Sequence, residues 1–359
     1  MHKTLTILSI FFLTITISSC TRLKESSVEY YEEYFDTYIT LRVWDNKIYD
    51  NNDKLWKGAE NIMQNIQNTF KRTAPDNNED PSELYLLNQS AGSTNPVQVS
   101  DELFDLIKTG INFAKDTEGR FDPTVGALVD LWGITGEVVE KERPENSKIT
   151  EMLALVDYNL IKLNEENKSV MLPKKGMVID LGAIAKGYAA DKLAEYFYDK
   201  GIEHALLNLG GNIYAIGERY EKGADGTTNW IIGIRTPLVG SLDQIGQVSV
   251  RNKTVVTSGT YERYIYDPVE EKRYHHILDT TTGFPVDNNL LSVTIISESS
   301  TTADALSTAV FAMGLDKGLD FVEYYDDVEA IFVYWDNNGD MKIKKSSGAD
   351  SLYHFKEKK

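Results

Sequence analysis

Two periods of hydrophobic spacing alternate along this chain, and they divide it into helical and extended stretches. Leu55, Ala59, Ile62, Ile66 and Phe70 recur at helical spacing and predict an amphipathic helix. A strand is expected before it, at Tyr38–Val43, and a polar loop after it, from Thr73 to Asp80. Ser100 followed by Asp101 and Glu102 reads as the start of a second helix that stops near Gly119. Met177–Asp180 reads as a short strand feeding a helix over Ala183–Lys200, and Glu137–Ser147 as an exposed charged insertion. Beyond Ala205 the spacing becomes that of strands: Ala205–Leu209, Ile213–Ile216, Trp230–Ile234, Gln247–Val250, Leu291–Ser297, Ala330–Trp335 and Met341–Lys345. Tight turns are expected at Gly210-Gly211-Asn212 and Asn337-Asn338-Gly339, and one helix, Thr302–Met313, interrupts the strands and stops at Gly314. Without regular strand–helix alternation, the fold class is α+β.

The N-terminal stretch has another character. Lys3 precedes an apolar run, Leu5–Ile17, too short to span a bilayer, and Ile17-Ser18-Ser19-Cys20 resembles a bacterial lipobox. Residues 1–19 are therefore expected to be a signal peptide, Cys20 the lipidation site, and the polar, acidic residues 20–35 a tether. A secretory signal with a chance cysteine is the plainer alternative. Cys20 is the one cysteine of 359 residues, so the remainder would carry no disulfide, which suits an exported, membrane-anchored protein. The main domain is expected at 36–345, with a C-terminal tail at 346–359.

A hydrophobic share of 42% and a charged share of 26% are those of a globular protein. The formal net charge of −18 argues against nucleic acid as a partner. On so acidic a chain, an anionic substrate needs backbone donors, local cations or a metal.

Four segments place Gly, Asp, Thr and His where a plain scaffold would place apolar residues. In Gly119–Gly126, Phe121 offers a flat apolar face and Asp122 and Thr124 offer hydrogen bonds on a loop stiffened by Pro123; a helix cap and turn would read the same way. Asp180–Tyr188 passes from strand through glycine to a helix N-terminus, an arrangement that receives phosphate, with Lys186 in its first turns; it is not a Walker A loop. Tyr274–Asp279 carries His275 and His276, which in a strand point to opposite faces, so at most one is expected to face a site. In Thr301–Ala309, Asp304 and Thr308 lie four apart on one helical face, a hard oxygen pair suited to Mg²⁺, unless Asp304 only favours the helix dipole.

FDPTVG, DLGAIAKGYAADK, NLGGNI, TSGTYERY, HHILDTTTG and TTADALSTA, in this order, resemble the motifs of the ApbE family across roughly Asp36–Lys345. The resemblance implies an α+β fold related to the tunnelling folds, with mixed sheets, packed helices and an FAD cleft between two subdomains. It implies Mg²⁺ at the FAD diphosphate, with Asp304, Thr308 and the Ala183 carbonyl as ligands. Phe121, Asp122, Pro123, Asp180, Lys186 and Leu278 fall at FAD-contacting positions, His276 matches the catalytic histidine, and Tyr261 and Arg263 are weaker candidates. The implied reaction is transfer of FMN from FAD to a Thr or Ser hydroxyl of an acceptor flavoprotein, with release of AMP. The acceptors that the resemblance implies are exported or membrane-bound flavoproteins, such as subunits of Na⁺- or electron-translocating oxidoreductases. The rivals are hydrolysis of FAD to FMN and AMP in the same site, and a flavin-binding lipoprotein without turnover. A nucleophile elbow at Ser258 is excluded because Val256 stands where glycine is needed, and His-Glu-x-x-His is absent. Three positions depart from the family pattern: Lys71-Arg72-Thr73 where a Ser-x-Tyr stretch is common, Thr280 for a common Pro, and Ala183 for a common Gly.

Overall fold

A computed structural model describes residues 25–35, 37–44, 52–75, 80–134, 139–219, 222–223, 226–351 and 354–358. The signal-peptide stretch and Cys20 lie outside them. The framework is an eight-stranded antiparallel sheet: β1 (Glu25–Tyr34), β2 (Thr37–Trp44), β3 (His204–Leu209), β4 (Asn212–Gly217), β5 (Lys253–Gly259), β6 (Leu290–Ser297), β7 (Glu329–Trp335) and β8 (Met341–Lys345). Their order across the sheet is their order along the chain, each antiparallel to the next. The other described elements are inserted between neighbouring strands, apart from the segment that follows β8.

The insertion between β2 and β3 holds α1 (Asn52–Phe70), α2 (Glu83–Gln89), α3 (Asp101–Asp116), α4 (Gly126–Trp132), α5 (Asn146–Leu153) and α6 (Ala185–Asp199). The β6–β7 insertion holds α7 (Ser300–Met313) and α8 (Leu315–Val322). Strand alternation sends successive side chains to opposite faces. Thus Val256, Ile295 and Phe332 pack with α7 and α8, while Val255, Ile296, Ile331 and Val333 pack against a three-stranded sheet of Trp230–Arg235, Gln244–Val250 and Lys356–Glu357. On the helical side, Ile39, Leu41, Leu207 and Leu209 meet the apolar stripes of α1, α3 and α6. A further cluster joins α4 and α5 to the hairpin Tyr264–Asp267/Lys272–His275 through Trp132, Ile149, Ile265, Tyr274 and Leu278.

Several expectations are met closely. Ser100 caps α3 by accepting the Leu103 N–H, and α1 buries Leu55, Ala59, Met63, Ile66 and Phe70. Leu209 pairs with Asn212 across Gly210 and Gly211, at φ +64° and +92°, so two residues of left-handed backbone close the β3–β4 hairpin. The α+β class is correct.

Others are corrected. The tether expected over 20–35 contains strand β1 from Glu25 onward, because the preceding edge of β2 offers free backbone pairing whatever the side-chain polarity. Met177–Asp180 is not a strand: Val178 makes one isolated bridge to Val125, and the Asp180 N–H donates to the Pro123 carbonyl. Within the expected insertion Glu137–Ser147, Val139–Glu140 pairs in parallel with Ile265–Tyr266, and α5 begins at Asn146. Nor is 346–359 a free tail, since Ser346, Ala349 and Phe355 are buried and Lys356–Glu357 extends the small sheet.

Candidate active site

A cavity opens where the helical layer, α4 and the β5–β6 insertion meet, and it receives residues from all six sequence motifs. One part is apolar and aromatic, lined by Phe121, Val125, Val129, Trp132, Ile134 and Leu278. The Trp132 indole donates to the Gly283 carbonyl at 2.8 Å, which fastens the Thr-rich turn to α4. Phe121 lies edge-on to Phe113 with centroids 6.2 Å apart, so the flat apolar face expected of it is fixed by core packing.

The polar part is built by two crossing helices. Gly187, in the first turn of α6, approaches α7 so closely that a Cβ there would stand 2.2 Å from the Ser300 carbonyl oxygen and 2.8 Å from the Asp304 Cβ. That approach lets the Gly187 N–H, a donor without a partner in its own helix, donate to Asp304 Oδ2 at 2.9 Å. The favour is returned by Asp191 of α6. It accepts from the Ser300 and Thr301 N–H groups at 2.7 and 2.9 Å and from the Ser299 and Thr301 hydroxyls, all at the start of α7. Each helix N-terminus is thus capped by a carboxylate of the other.

Asp304 is buried, which pushes its carboxyl upward against the pull of Lys186 and the Gly187 N–H. Lys186 Nζ donates to the Gly182 carbonyl at 3.2 Å and stands 3.9 Å from Asp304 Oδ1, so a cation already bridges the glycine-loop backbone and the α7 carboxylate. Thr308, one helical turn beyond Asp304, and Ala183 also line the cavity. Among the described residues, no three His, Cys, Asp or Glu side chains gather into a metal cluster. Asp304 and Thr308 offer a carboxylate and a hydroxyl one helical turn apart, a hard and incomplete set. It fits a Mg²⁺ ion that takes its other ligands from water and a phosphorylated ligand.

The two histidines divide as expected, and their tautomers follow from their partners. His275 Nε2 donates to the Val286 carbonyl at 2.9 Å and its Nδ1 accepts from the Ile277 N–H at 3.2 Å, while the ring packs edge-on to Phe311. Burial lowers its pKa to about 4. His276 lines the cavity, and its Nδ1 donates to the Arg263 carbonyl at 3.2 Å. Its Nε2 therefore carries a lone pair and no proton. Burial, then the neighbouring His275 and Arg263, bring its pKa to about 3, so it is a neutral acceptor at pH 7.

The remaining expectations separate. Asp180 lines the cavity, accepts the Gly182 N–H at 2.7 Å, and pairs with Arg72 Nε at 2.8 Å; Arg72 also pairs with Asp130. Arg72, the middle residue of the Lys71-Arg72-Thr73 stretch, is therefore a guanidinium clamp joining α4 to the glycine loop. Asp122 lines the cavity, but Oδ1 accepts from the Thr124 N–H and hydroxyl and Oδ2 from the Tyr158 N–H, so its carboxylate is used up holding its own loop. Pro123 does not line the cavity; its ring lies against Gly110. Thr280, the second departure, lines the cavity and its hydroxyl donates to the Gly119 carbonyl, joining two of the site loops. Arg263 lines the cavity and Tyr261 does not; Tyr261 lies under the Arg235 guanidinium at 5.4 Å.

Sequence reasoning missed Trp132, Glu262 and Asn212, which also line the cavity. Glu262 is exposed as a residue, yet protein crowds its carboxyl; that desolvation pushes the carboxyl upward, and Lys186, Arg263 and Arg235 pull it back. Its signal was the charge alternation of Glu262-Arg263. For Asn212 the turn it adjoins concealed it.

These contacts explain why the six motifs lie apart in sequence: each supplies one wall of a single cavity. Comparison with known proteins gives the same grouping. A Klebsiella pneumoniae protein named FAD:protein FMN transferase is 39% identical over 258 residues, 71% of this chain and 76% of its own length. One of the same name from Treponema pallidum is 37% identical over 279 residues, 76% of this chain and 75% of its own. The crystal structure of an ApbE protein from Thermotoga maritima superposes with a TM-score of 0.76 at 34% identity, covering 90% of this chain and 97% of that one. The flavin transferase ApbE from Vibrio cholerae gives 0.76 at 26% identity, covering 91% and 99%. The ApbE family's own sequence profile matches residues 35–332, and with the cavity that those residues build, the chain belongs to the ApbE family.

Proposed function

We propose that this chain is an FAD:protein FMN transferase that moves FMN from FAD to a Thr or Ser hydroxyl of an acceptor protein and releases AMP. The observation that carries the reading is a single cavity holding an aromatic-lined part, a carboxylate–hydroxyl pair beside a lysine and a glycine loop, and a neutral histidine with its Nε2 unprotonated. Those three features match a flat heterocycle, a diphosphate and a hydroxyl that must lose a proton. Relatives at up to 39% identity bear the transferase name.

Asp304, Thr308 and the Ala183 carbonyl are the residues that would hold Mg²⁺, which when bound neutralises charge on the diphosphate and its leaving group. Lys186 adds a positive charge beside the same oxygens, and the glycine loop admits them to the α6 N-terminus. His276 Nε2 takes the proton from the acceptor hydroxyl as its oxygen bonds to the FMN phosphorus and the bond to the AMP oxygen breaks. The Arg263 carbonyl on Nδ1–H holds the ring in the tautomer this needs and stabilises the imidazolium that results. Leu278, Trp132 and Phe121 orient the flavin and exclude water from it.

The Ile17–Cys20 segment supports lipidation at Cys20 and attachment to a bacterial membrane, facing exported flavoprotein subunits of translocating oxidoreductases. Incubating the purified chain with FAD, Mg²⁺ and such an acceptor domain tests the reading by intact-mass spectrometry. Added mass equal to FMN on a Thr or Ser is the expected result. Free FMN and AMP with an unmodified acceptor would instead establish the hydrolase.

A further inference from the structure

Asn212 opens β4 directly after the Gly210–Gly211 turn, is 2% exposed, and lines the cavity. Its Oδ1 accepts from the Ser300 hydroxyl at 2.6 Å and lies 3.4 Å from Thr254 Oγ1, and those two hydroxyls are 3.0 Å apart. The amide turns its oxygen to the Ser300 hydroxyl at the start of α7 and its N–H₂ away from it. That nitrogen is fully buried and donates to nothing among the described residues. A buried donor left in this state is costly unless something else accepts from it.

Its position says what the acceptor is. Ser300, Asp304 and Thr308 follow one another at intervals of four along α7, a single stripe on one face. Asn212 is bonded to the first of them, so its amide stands one helical turn from the carboxylate assigned to the diphosphate end of the ligand. An uncharged donor suits that place, because a second carboxylate would repel phosphate and a second ammonium would compete for Asp304. We propose that Asn212 is a substrate-binding residue, whose amide N–H₂ donates to an oxygen of the bound dinucleotide at or beside its diphosphate. The Thr254–Ser300 hydroxyl pair holds the amide in the orientation that presents the donor. This inference rests on FAD being the ligand, as proposed above.

The test is FAD affinity of the full chain, read by flavin fluorescence, for the wild type, Asn212→Asp and Ser300→Ala. Asn212→Asp keeps the shape, replaces the donor by an acceptor and adds a charge that repels phosphate, and should weaken FAD binding by roughly tenfold or more, with Ser300→Ala as the variant that adds no charge. Ser300→Ala leaves Asn212 in place but unanchored, and should weaken it by a smaller factor. In turnover, both changes should raise KM for FAD with little change in kcat. Thermal unfolding near the wild-type temperature shows that the fold is kept, and Ser300→Ala carries the test if Asn212→Asp does not fold. Parallel titrations with ADP and with FMN locate the oxygen: a loss with ADP alone places it on the adenosine side, a loss with FMN alone on the flavin side, and either supports the proposal. Folded variants that bind FAD as tightly as a wild type that itself binds FAD overturn this inference alone. A wild type that binds no FAD overturns the transferase reading and this one with it.

Discussion

His276 and His275 sit side by side and are held in opposite tautomers, one with its proton on Nδ1 and the other on Nε2. For His276 the consequence is catalytic. Its pKa of about 3 leaves it an available acceptor through the neutral range, so the rate of FMN transfer should show no acid limb near the ordinary histidine value of about 6.5. His276→Ala should lower the transfer rate by roughly 10²- to 10⁴-fold while FAD still binds; rates and flavin binding measured on one preparation check both halves. For His275, with its pKa near 4, the consequence is stability. Its folded value is lowered, so between about pH 6.5 and 4 the unfolded chain takes up a proton that the folded chain refuses, and stability falls as pH falls. The buried carboxylates Asp122, Asp191 and Asp304, raised in the folded state, act with the opposite sign over part of that range. A difference measurement isolates the ring: denaturant midpoints at pH 7 and pH 5 should drop less in His275→Gln than in the wild type.

At the scale of elements, the site depends on how α6 crosses α7. Gly187 is required by geometry in this structure, since any side chain would push into the Ser300 carbonyl. Gly187→Ala should cost about 1–3 kcal/mol in stability, and by displacing Asp304 it should reduce transfer more than FAD binding; urea unfolding and initial rates separate the two. This crossing was only half legible in the sequence. The periodicity of Ala303, Leu306 and Val310 gave α7, and the i, i+4 spacing of Asp304 and Thr308 gave the face they share. Nothing in either segment announced that Asp191 and Asp304 exchange caps, because that pairing joins residues more than a hundred positions apart. Strands with alternating or continuous apolar residues were readable for the same reason as the helices. Met177–Asp180 was not, since its hydrophobic residues serve a loop pinned by the Pro123 carbonyl and Asn88. Arg72 shows the converse: the departure of its neighbours Lys71 and Thr73 from the family pattern was visible, but the role of Arg72 needed the two aspartates brought beside it by folding.

For the whole molecule, the sheet runs in chain order and most of the cavity lining hangs from its long insertions, while Thr37, Asn212, Val256, Thr257 and Ser258 of the sheet strands complete it. No described helix is long and apolar enough to cross a membrane. The last residues belong to the framework: Phe355 packs against the small sheet, where a Cβ on Gly246 would meet its ring at 2.4 Å. Ending the chain after Lys345 should therefore lower the unfolding temperature by several degrees, following the loss of about 2–4 kcal/mol from a buried aromatic and its neighbours; calorimetry of the shortened chain beside the full one measures it. FAD binding should survive in whatever fraction stays folded, because every cavity residue precedes Val310. The order of synthesis then gains a meaning. A chain still leaving the ribosome can already possess every cavity residue, while the third strand of the small sheet on the opposite face, Lys356–Glu357, has yet to emerge.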